Sequence, residues 1–401
     1  MSTTETREVL LARYGELWLK GKNRGNFERR LARNVRRALK TVAPGCTVER
    51  EHGMLVVRPA QRAREATQRL QEVFGLSSIS PARKTMREFE AIAETSLEAM
   101  RAALARYPDD APIPFRVETR RSDKRFHLTS VQLDRQIGEC VMAEFGPRLS
   151  VNLSKPELVL GINVRAEQVY VFAERIPGAG GLPVGSVGRV VSLFSGGIDS
   201  PVASWMAMKR GLEVIFSSFH SYPYVGASFL RKAEKLVRRL TRFQNSALFC
   251  ATPLTRIQEA IRDGAPKGYR TVLYRRAMQR IATRIAEDEG AGGLVTGECV
   301  GQVASQTLEN MRCIQDVSDL PVLRPLVAFD KSETIALAKK IGTFELSIEP
   351  EPDCCTVFQP QHPILRARID LCDEVESRLS MEELLAEAYE RTERIPIAGL
   401  G

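Results

Sequence analysis

Apolar and polar positions recur along this chain with two different periods. In NRGNFERRLARNVRRALK, residues 23–40, Phe27, Leu31, Val35 and Leu39 recur at helical spacing and cover an arc of about 120° at roughly 100° per residue. Arg29, Arg30, Arg33, Arg36, Arg37 and Lys40 fall on the opposite side, so one face packs and the other is cationic. LSKPELVLGINVRAEQVYVFAER, residues 153–175, alternates like strands, with RAEQ as a turn between VLGINV and VYVFA.

Beyond residue 188 a strand-then-helix rhythm takes over. The pattern predicts a strand over 189–194, then a helix with Ser200 as N-cap, Pro201 at its first position and Gly211 past its end. LEVIFSSFH and SALFCATPL read as buried strands flanking a basic amphipathic helix over about 228–242. A long helix over about 271–287 follows, and then GLVTGECVGQVASQ, an apolar strand ending in a glycine-containing turn and a helix. VLRPLVAFDKSETIALAKKIG closes the series with a short strand, a polar loop and another helix. Such alternation specifies an α/β domain with a doubly wound parallel sheet, whose ligands collect at the carboxyl ends of the strands. SGGIDS, FHSYP, TGE and RPLVAFDK all fall at such ends.

Bulk composition narrows the class without naming it. The 401 residues, 43% apolar and 27% charged, are long enough for two or three domains of ordinary globular make-up. No apolar run approaches the length of a membrane span, and MSTTETREVLLARYGE lacks a secretory pattern, so a cytoplasmic protein with no membrane association is expected. The net charge of +9 is uneven, because residues 1–180 carry 31 Lys and Arg against 22 Asp and Glu while the remainder is balanced at 27 each. A polyanion-binding front end joined to a neutral catalytic back end is the implied division. The glycine- and proline-rich IPGAGGLPVGSVG, 176–188, lies between them as a linker or a ligand-covering loop. In the basic half, Phe115 and Phe126 interleave with cations in PFRVETRRSDKRFHLTSVQLDRQIG, which suits stacking on unpaired RNA bases, a packed core being the alternative.

The sharpest local signal is SLFSGGIDSPVASWMAMKRG, 192–211. A turn built this way offers backbone N–H groups to an anion. Gly196 and Gly197 lack Cβ atoms, so the main chain can approach a phosphate, and the following helix adds the positive end of its dipole. Asp199 also reads locally as a carboxylate favoured by that dipole, and Lys331 as an exposed loop cation.

SGGIDS matches the pyrophosphate-loop pattern of the N-type ATP pyrophosphatases, which cleave ATP to AMP and pyrophosphate and activate a carbonyl oxygen as an adenylate; no Walker loop is present. With GGLPVG, TGECVGQVASQTLENM, VLRPLVAFDK and EPDCCTVFQP, the chain resembles the tRNA 4-thiouridine synthetase family nearly end to end. RYGELWLKGKNRGNFE resembles that family's ferredoxin-like domain, and FRVETRRSDKRF and LSKPELVLGINV its THUMP domain. The resemblance implies α+β ferredoxin-like and THUMP RNA-binding domains over 1–60 and 61–175, and a pyrophosphatase domain over 176–401. The chain stops at Gly401, so a short form lacking the rhodanese domain of some members is expected.

The activity so implied is ATP-dependent replacement of O4 of uridine 8 in tRNA by sulfur, giving 4-thiouridine with release of AMP and pyrophosphate. ATP would be held by Leu193, Phe194, Ser195, Gly196, Gly197, Asp199 and Ser200, by Phe219 and His220, by Arg275, and by Gly297 and Gln306. Asp199 is expected to bind Mg²⁺, and Lys331 to offset charge on the α-phosphate. Sulfur delivery needs a cysteine able to carry a persulfide. Cys354 matches the catalytic position and Cys355 the variable one beside it. The resolving thiol stays open among Cys250, Cys299, Cys313 and an external thiol. None of the eight cysteines forms a CxxC pair, so no zinc or iron–sulfur framework is evident. Implied partners are tRNA, a cysteine desulfurase as direct sulfur donor, and a second copy in a homodimer. Three other readings compete: another pyrophosphatase that modifies tRNA, a sulfur donor for the thiazole of thiamine, and an RNA-binding module with an inactive nucleotide site.

Overall fold

Chain contacts divide the protein into two units, Met1–Gly181 and Leu182–Gly401. The computed structural model describes residues 8–58, 62–108, 111–226, 228–350 and 358–399, with 18–20 as backbone alone. The first unit opens with β1 (Glu8–Tyr14), α1 (Arg24–Val42), β2 (Thr47–Glu51), β3 (Met54–Arg58), α2 (Ala63–Leu70) and β4 (Leu76–Thr85). It continues with α3 (Phe89–Leu104), β5 (Ile113–Arg121), α4 (Ser130–Phe145), β6 (Leu149–Val151), β7 (Leu158–Val164), β8 (Val169–Phe172) and β9 (Ile176–Pro177). Among the described residues these strands form one sheet ordered β2-β3-β1-β4-β8-β7-β5-β6, with β9 beside β4. Strand β4 joins its halves, setting Pro81 opposite Leu10 of β1 and Arg83 opposite Val171 of β8.

Helix α1 buries Leu31, Val35 and Leu39 and exposes Arg29, Arg33, Arg36, Arg37 and Lys40. Arg30 is half-buried, and Arg36 donates back to the carbonyl of Val48 at 2.6 Å. The strands expected in 153–175 form a hairpin, β7 with β8, in which Ile162 faces Val171. Phe115 and Phe126 do not lie on the surface. Both are buried in the cluster of Ile92, Met100, Leu133 and Ile162, so of the two readings it is the packed core that holds. Their rings satisfy the core between α3, α4 and the sheet, where burial of large apolar groups is most favourable.

The second unit runs β10 (Gly188–Leu193), α5 (Asp199–Lys209), β11 (Leu212–His220), α6 (Ser228–Gln244), β12 (Ser246–Pro253), α7 (Thr255–Gly264) and α8 (Arg270–Asp288). Then follow β13 (Leu294–Val295), α9 (Leu308–Gln315), β14 (Val322–Leu323), α10 (Lys331–Ile341), α11 (Phe344–Ser347), α12 (Ile369–Arg378), α13 (Met381–Glu390) and β15 (Glu393–Ala398). The sheet order is β14-β13-β10-β11-β12-β15, parallel throughout except for β15, which runs antiparallel to β12 at the edge. From β10 the chain moves outward through β11 to β12, then returns to the other side of β10 as β13. Right-handed crossovers therefore put helices on opposite faces: α5 packs with α6 and α10, and α8 with α7, α9 and α13. The order reverses between β10 and β13, and the crevice for a ligand opens at their carboxyl ends. Val191, Ile215, Leu273, Ala277, Ile281 and Leu294 form the core beneath it.

Candidate active site

The turn after β10 is folded by its own serines. The hydroxyl of Ser200 accepts from the backbone N–H of Ser195 at 3.2 Å and lies 3.4 Å from the Ser195 hydroxyl. That inward use removes Ser200 from the expected capping role. Helix α5 instead begins at Asp199, with Ile198 at the N-cap and no side-chain cap, so Pro201 is its third residue. Gly196 adopts φ +73°, a left-handed conformation that glycine reaches without strain. The Ser204 hydroxyl holds the helix to β10, 2.9 Å from that of Ser192, while donating to the carbonyl of Ser200 at 2.8 Å. Helix α5 begins without a side-chain cap, and Gly197, Asp199 and Ser200 line the crevice, an arrangement that suits an anion.

The loop after β13 closes against this turn. A Cβ on Gly297 would come within 2.8 Å of the Asp199 carbonyl carbon and the Ser200 nitrogen, so the two backbones meet only because residue 297 has no side chain. Between them lies a cleft of about 290 Å³. Leu193, Phe194, Ser195, Gly197, Asp199, Ser200, Phe219, Arg275, Gly297 and Gln306 line it. Gly196 lies in the turn but faces Phe229 and Ala233 of α6. His220 is not brought to this cleft. Successive strand residues point to opposite faces, and His220 opens instead on a separate cleft of about 190 Å³ with Tyr222, Arg256 and Arg391. Burial lowers the imidazole pKa there, and its Nδ1 has no hydrogen-bond partner among the described residues.

Charge at the cleft is arranged as one ion pair and one group of three charges. Lys331 donates to Asp199 Oδ1 at 2.7 Å, and Gln302 approaches Oδ2 at 3.4 Å. Lys331 is the first residue of α10, fixed by a capping box in which Asp330 accepts from the N–H groups of Ser332 and Glu333 and the Glu333 carboxylate returns to the Asp330 N–H. Hydrogen bonds from the Ser332 hydroxyl and the Glu333 N–H hold the Asp330 carboxyl below its ordinary value. Deeper in, Glu298 is buried and accepts from Arg275 at 3.0 Å, Arg324 at 2.8 Å and the Thr296 hydroxyl at 2.9 Å. Glu298, Gln302 and Arg324 escaped the sequence reading, although TGE and GQVASQ contain the first two. The Arg275–Glu298–Arg324 contact joins three distant segments, and no spacing marks it.

Cys354 and Cys355 lie outside the described residues. Of the other cysteines considered for resolving the persulfide, Cys250 and Cys313 are buried, and burial pushes the Cys250 thiol up to about 11. Cys299 is half-buried, and its Sγ donates to the carbonyl of Phe329 at 2.9 Å. Among the described residues no group of three or more His, Cys, Asp or Glu side chains could hold a metal ion, and no helix is long and apolar enough to cross a membrane.

Comparison with known proteins extends the match beyond the cleft. Residues 185–381 match the family described as thiamine biosynthesis protein (ThiI), 9–80 the ThiI ferredoxin-like domain and 87–174 the THUMP domain. A probable tRNA sulfurtransferase of Brevibacillus brevis is 42% identical over 96% of this chain and 95% of its own length. Another, of Lactobacillus gasseri, is 43% identical over 97% of this chain and 94% of its own. The crystal structure of a 4-thiouridine synthetase–RNA complex with bound ATP superposes with a TM-score of 0.89 at 36% identity, covering 97% of this chain and 99% of that one.

Proposed function

The chain belongs to the tRNA sulfurtransferase family, and from that premise we propose that it is an ATP-dependent enzyme that converts a tRNA uridine to 4-thiouridine. The observation that carries the reading is the convergence of the SGGIDS turn and Arg275 on one cleft at the reversal point of the sheet, with Lys331 paired to the Asp199 that lines it.

A carbonyl oxygen conjugated into a pyrimidine does not depart unaided. O4 of uridine 8 attacks the α-phosphorus of ATP, a P–O bond to the β-phosphate breaks, and pyrophosphate leaves. The N–H groups of the turn and of the start of α5 hold the departing phosphates, and Ser195 and Ser200 keep that turn folded. Lys331 offsets charge at the α-phosphate, and Arg275, oriented by Glu298, faces the nucleotide from α8. Phe194, Phe219, Leu193, Gly297 and Gln306 form the remaining wall. The terminal sulfur of a Cys354 persulfide then attacks C4, the C4–O4 bond breaks, and AMP departs with the oxygen. A second thiol attacks the Cys354 sulfur, leaving a disulfide on the protein side and sulfur on the base.

One carboxylate at the mouth of a phosphate turn fits Mg²⁺, which binds through few protein ligands and keeps substrate phosphates and water as the rest. Asp199 would hold it, and the ion would neutralise charge on the phosphates. The basic first unit grips the tRNA, a cysteine desulfurase loads the sulfur, and the enzyme acts in the cytoplasm as a homodimer.

Incubation with tRNA, ATP, Mg²⁺, cysteine and a desulfurase, followed by nucleoside analysis, tests this reading. It requires 4-thiouridine together with AMP and pyrophosphate; bound tRNA with neither product would leave an RNA-binding module instead. The family description also favours a second role, sulfur donation to the thiazole of thiamine. Thiamine auxotrophy in a deletion strain would reveal it.

A further inference from the structure

Arg13 is an unusual arginine in the first unit. It shares the face of β1 that carries Val9 and Leu11, whose apolar cluster with Met54, Val56, Ala82, Tyr170 and Phe172 is built from strand residues alone. Among the described residues no carboxylate forms an ion pair with its guanidinium. One terminal nitrogen donates to the buried Ser80 hydroxyl at 2.8 Å, and the guanidinium carbon sits 4.4 Å from the centre of the Phe172 ring. The other terminal nitrogen is buried and has no hydrogen-bond partner among the described residues.

Further arginines converge on this one. Arg175 donates to Ser78 Oγ at 3.2 Å, two residues along β4 from Ser80, and Arg120 to Glu118 at 2.9 Å. Both rim residues are exposed. Burial first, and then the like charges of Arg175, Arg120 and Arg165 against a smaller opposing pull from Glu118, lower the Arg13 pKa to about 10. A desolvated donor facing converging like charges costs stability unless an anion completes it. The half-buried guanidinium of Arg13, locked by a serine and an aromatic ring, lies beside the exposed Arg175 and Arg120, and together they form a donor set of the kind that phosphate accepts.

We propose that Arg13, with Arg175 and Arg120 at its rim, binds one backbone phosphate of tRNA. The proposal rests on the tRNA reading above and adds the residues of a contact to it. Such a contact fixes the register of the RNA on the strand face and reads no sequence. The excess of 31 basic over 22 acidic residues in positions 1–180 favours a polyanion over an isolated anion.

Equilibrium binding of tRNA to the full chain, measured across a salt series, tests the site. Arg13→Met should weaken binding about ten-fold, and the slope of log affinity against log salt should become shallower by about 0.9. Its melting temperature should hold or rise, because a like-charge convergence has been relieved; a merely structural arginine would lower the melting temperature and leave the slope alone. Arg13→Lys should keep the slope and recover only part of the affinity. Arg120→Gln and Arg175→Gln, exposed at the rim, should each flatten the slope, and they keep the proposal testable if Arg13→Met folds poorly. Wild-type affinity and slope in all three charge-removing variants would overturn the site and leave the tRNA reading intact, whereas wild-type protein that binds no tRNA would overturn both.

Discussion

Lys331 Nζ lies 2.7 Å from Asp199 Oδ1, so the first residue of α10 is ion-paired with the first residue of α5, 132 positions earlier in the chain. The pair is partly open to solvent, with side-chain exposures of 44% and 26%. An ion pair so placed adds no more than about 1 kcal/mol to folding. Its value lies in where it holds an ammonium and a carboxylate. Lys331→Met and Asp199→Ala should therefore keep their melting temperatures within a few degrees of wild type while AMP formation falls about 10²–10³-fold. Thiolation should fall with it. Wild-type AMP formation in either variant would remove that residue from the chemistry.

Gly297→Ala places a methyl group 2.8 Å from backbone atoms of Asp199 and Ser200. Neither neighbour is a flexible side-chain end, so the turn and the loop after β13 must separate. A cost of about 1–3 kcal/mol in stability is expected, with a higher KM for ATP because both loops face the same cleft. Unchanged ATP affinity, measured alongside thermal unfolding, would mean that the close approach serves packing only.

Cys354→Ser should abolish 4-thiouridine formation and leave AMP release intact, since activation of O4 precedes sulfur transfer. Quantifying both products in one reaction checks the order of steps. Equal thiolation in the variant and wild type would move the sulfur-carrying role to Cys355 or elsewhere.

Arg276 is fully buried and donates to the Glu376 carboxylate through two nitrogens at 2.9 Å each, while Arg280 adds a third contact at 2.9 Å. Burial alone would raise the Glu376 pKa, but the hydrogen bonds of Arg276 and Arg280 hold it below its ordinary value. A carboxyl with a depressed folded-state pKa contributes its full stability above the unfolded value of about 4.3 and loses it as pH falls through the folded one. Glu376→Gln should cost about 3–5 kcal/mol at neutral pH. Denaturant unfolding across the acid range should show the gap to wild type narrowing below about pH 4. A gap independent of pH would contradict the assigned ion pair.

The catalytic half was legible where backbone and glycine dictate geometry. The strand–helix alternation of 188–341 marks the sheet, because buried parallel strands leave continuous apolar runs such as LEVIFSSFH. The start of α5 was misplaced because the Ser200 hydroxyl turns inward to Ser195 rather than capping, a choice made by the turn and invisible to composition. Strand β15 was missed because ERIPIA carries two charges and a proline, which only an edge strand tolerates. Phe115 and Phe126 stand among cations in the sequence, yet each taken singly reads as a core aromatic, and the packing of α3 and α4 against the sheet puts both rings in the core. His220 shares a motif with Phe219 yet opens on a different cleft, since adjacent strand positions diverge.

The central claim is that ATP activates the base oxygen itself. Mass spectrometry of AMP released from tRNA carrying ¹⁸O at O4 of uridine 8 tests it most directly. Attack of O4 on the α-phosphorus predicts that the label leaves in the phosphate of AMP, one ¹⁸O for each 4-thiouridine formed. Label recovered in water, with unlabelled AMP beside 4-thiouridine, would contradict the account.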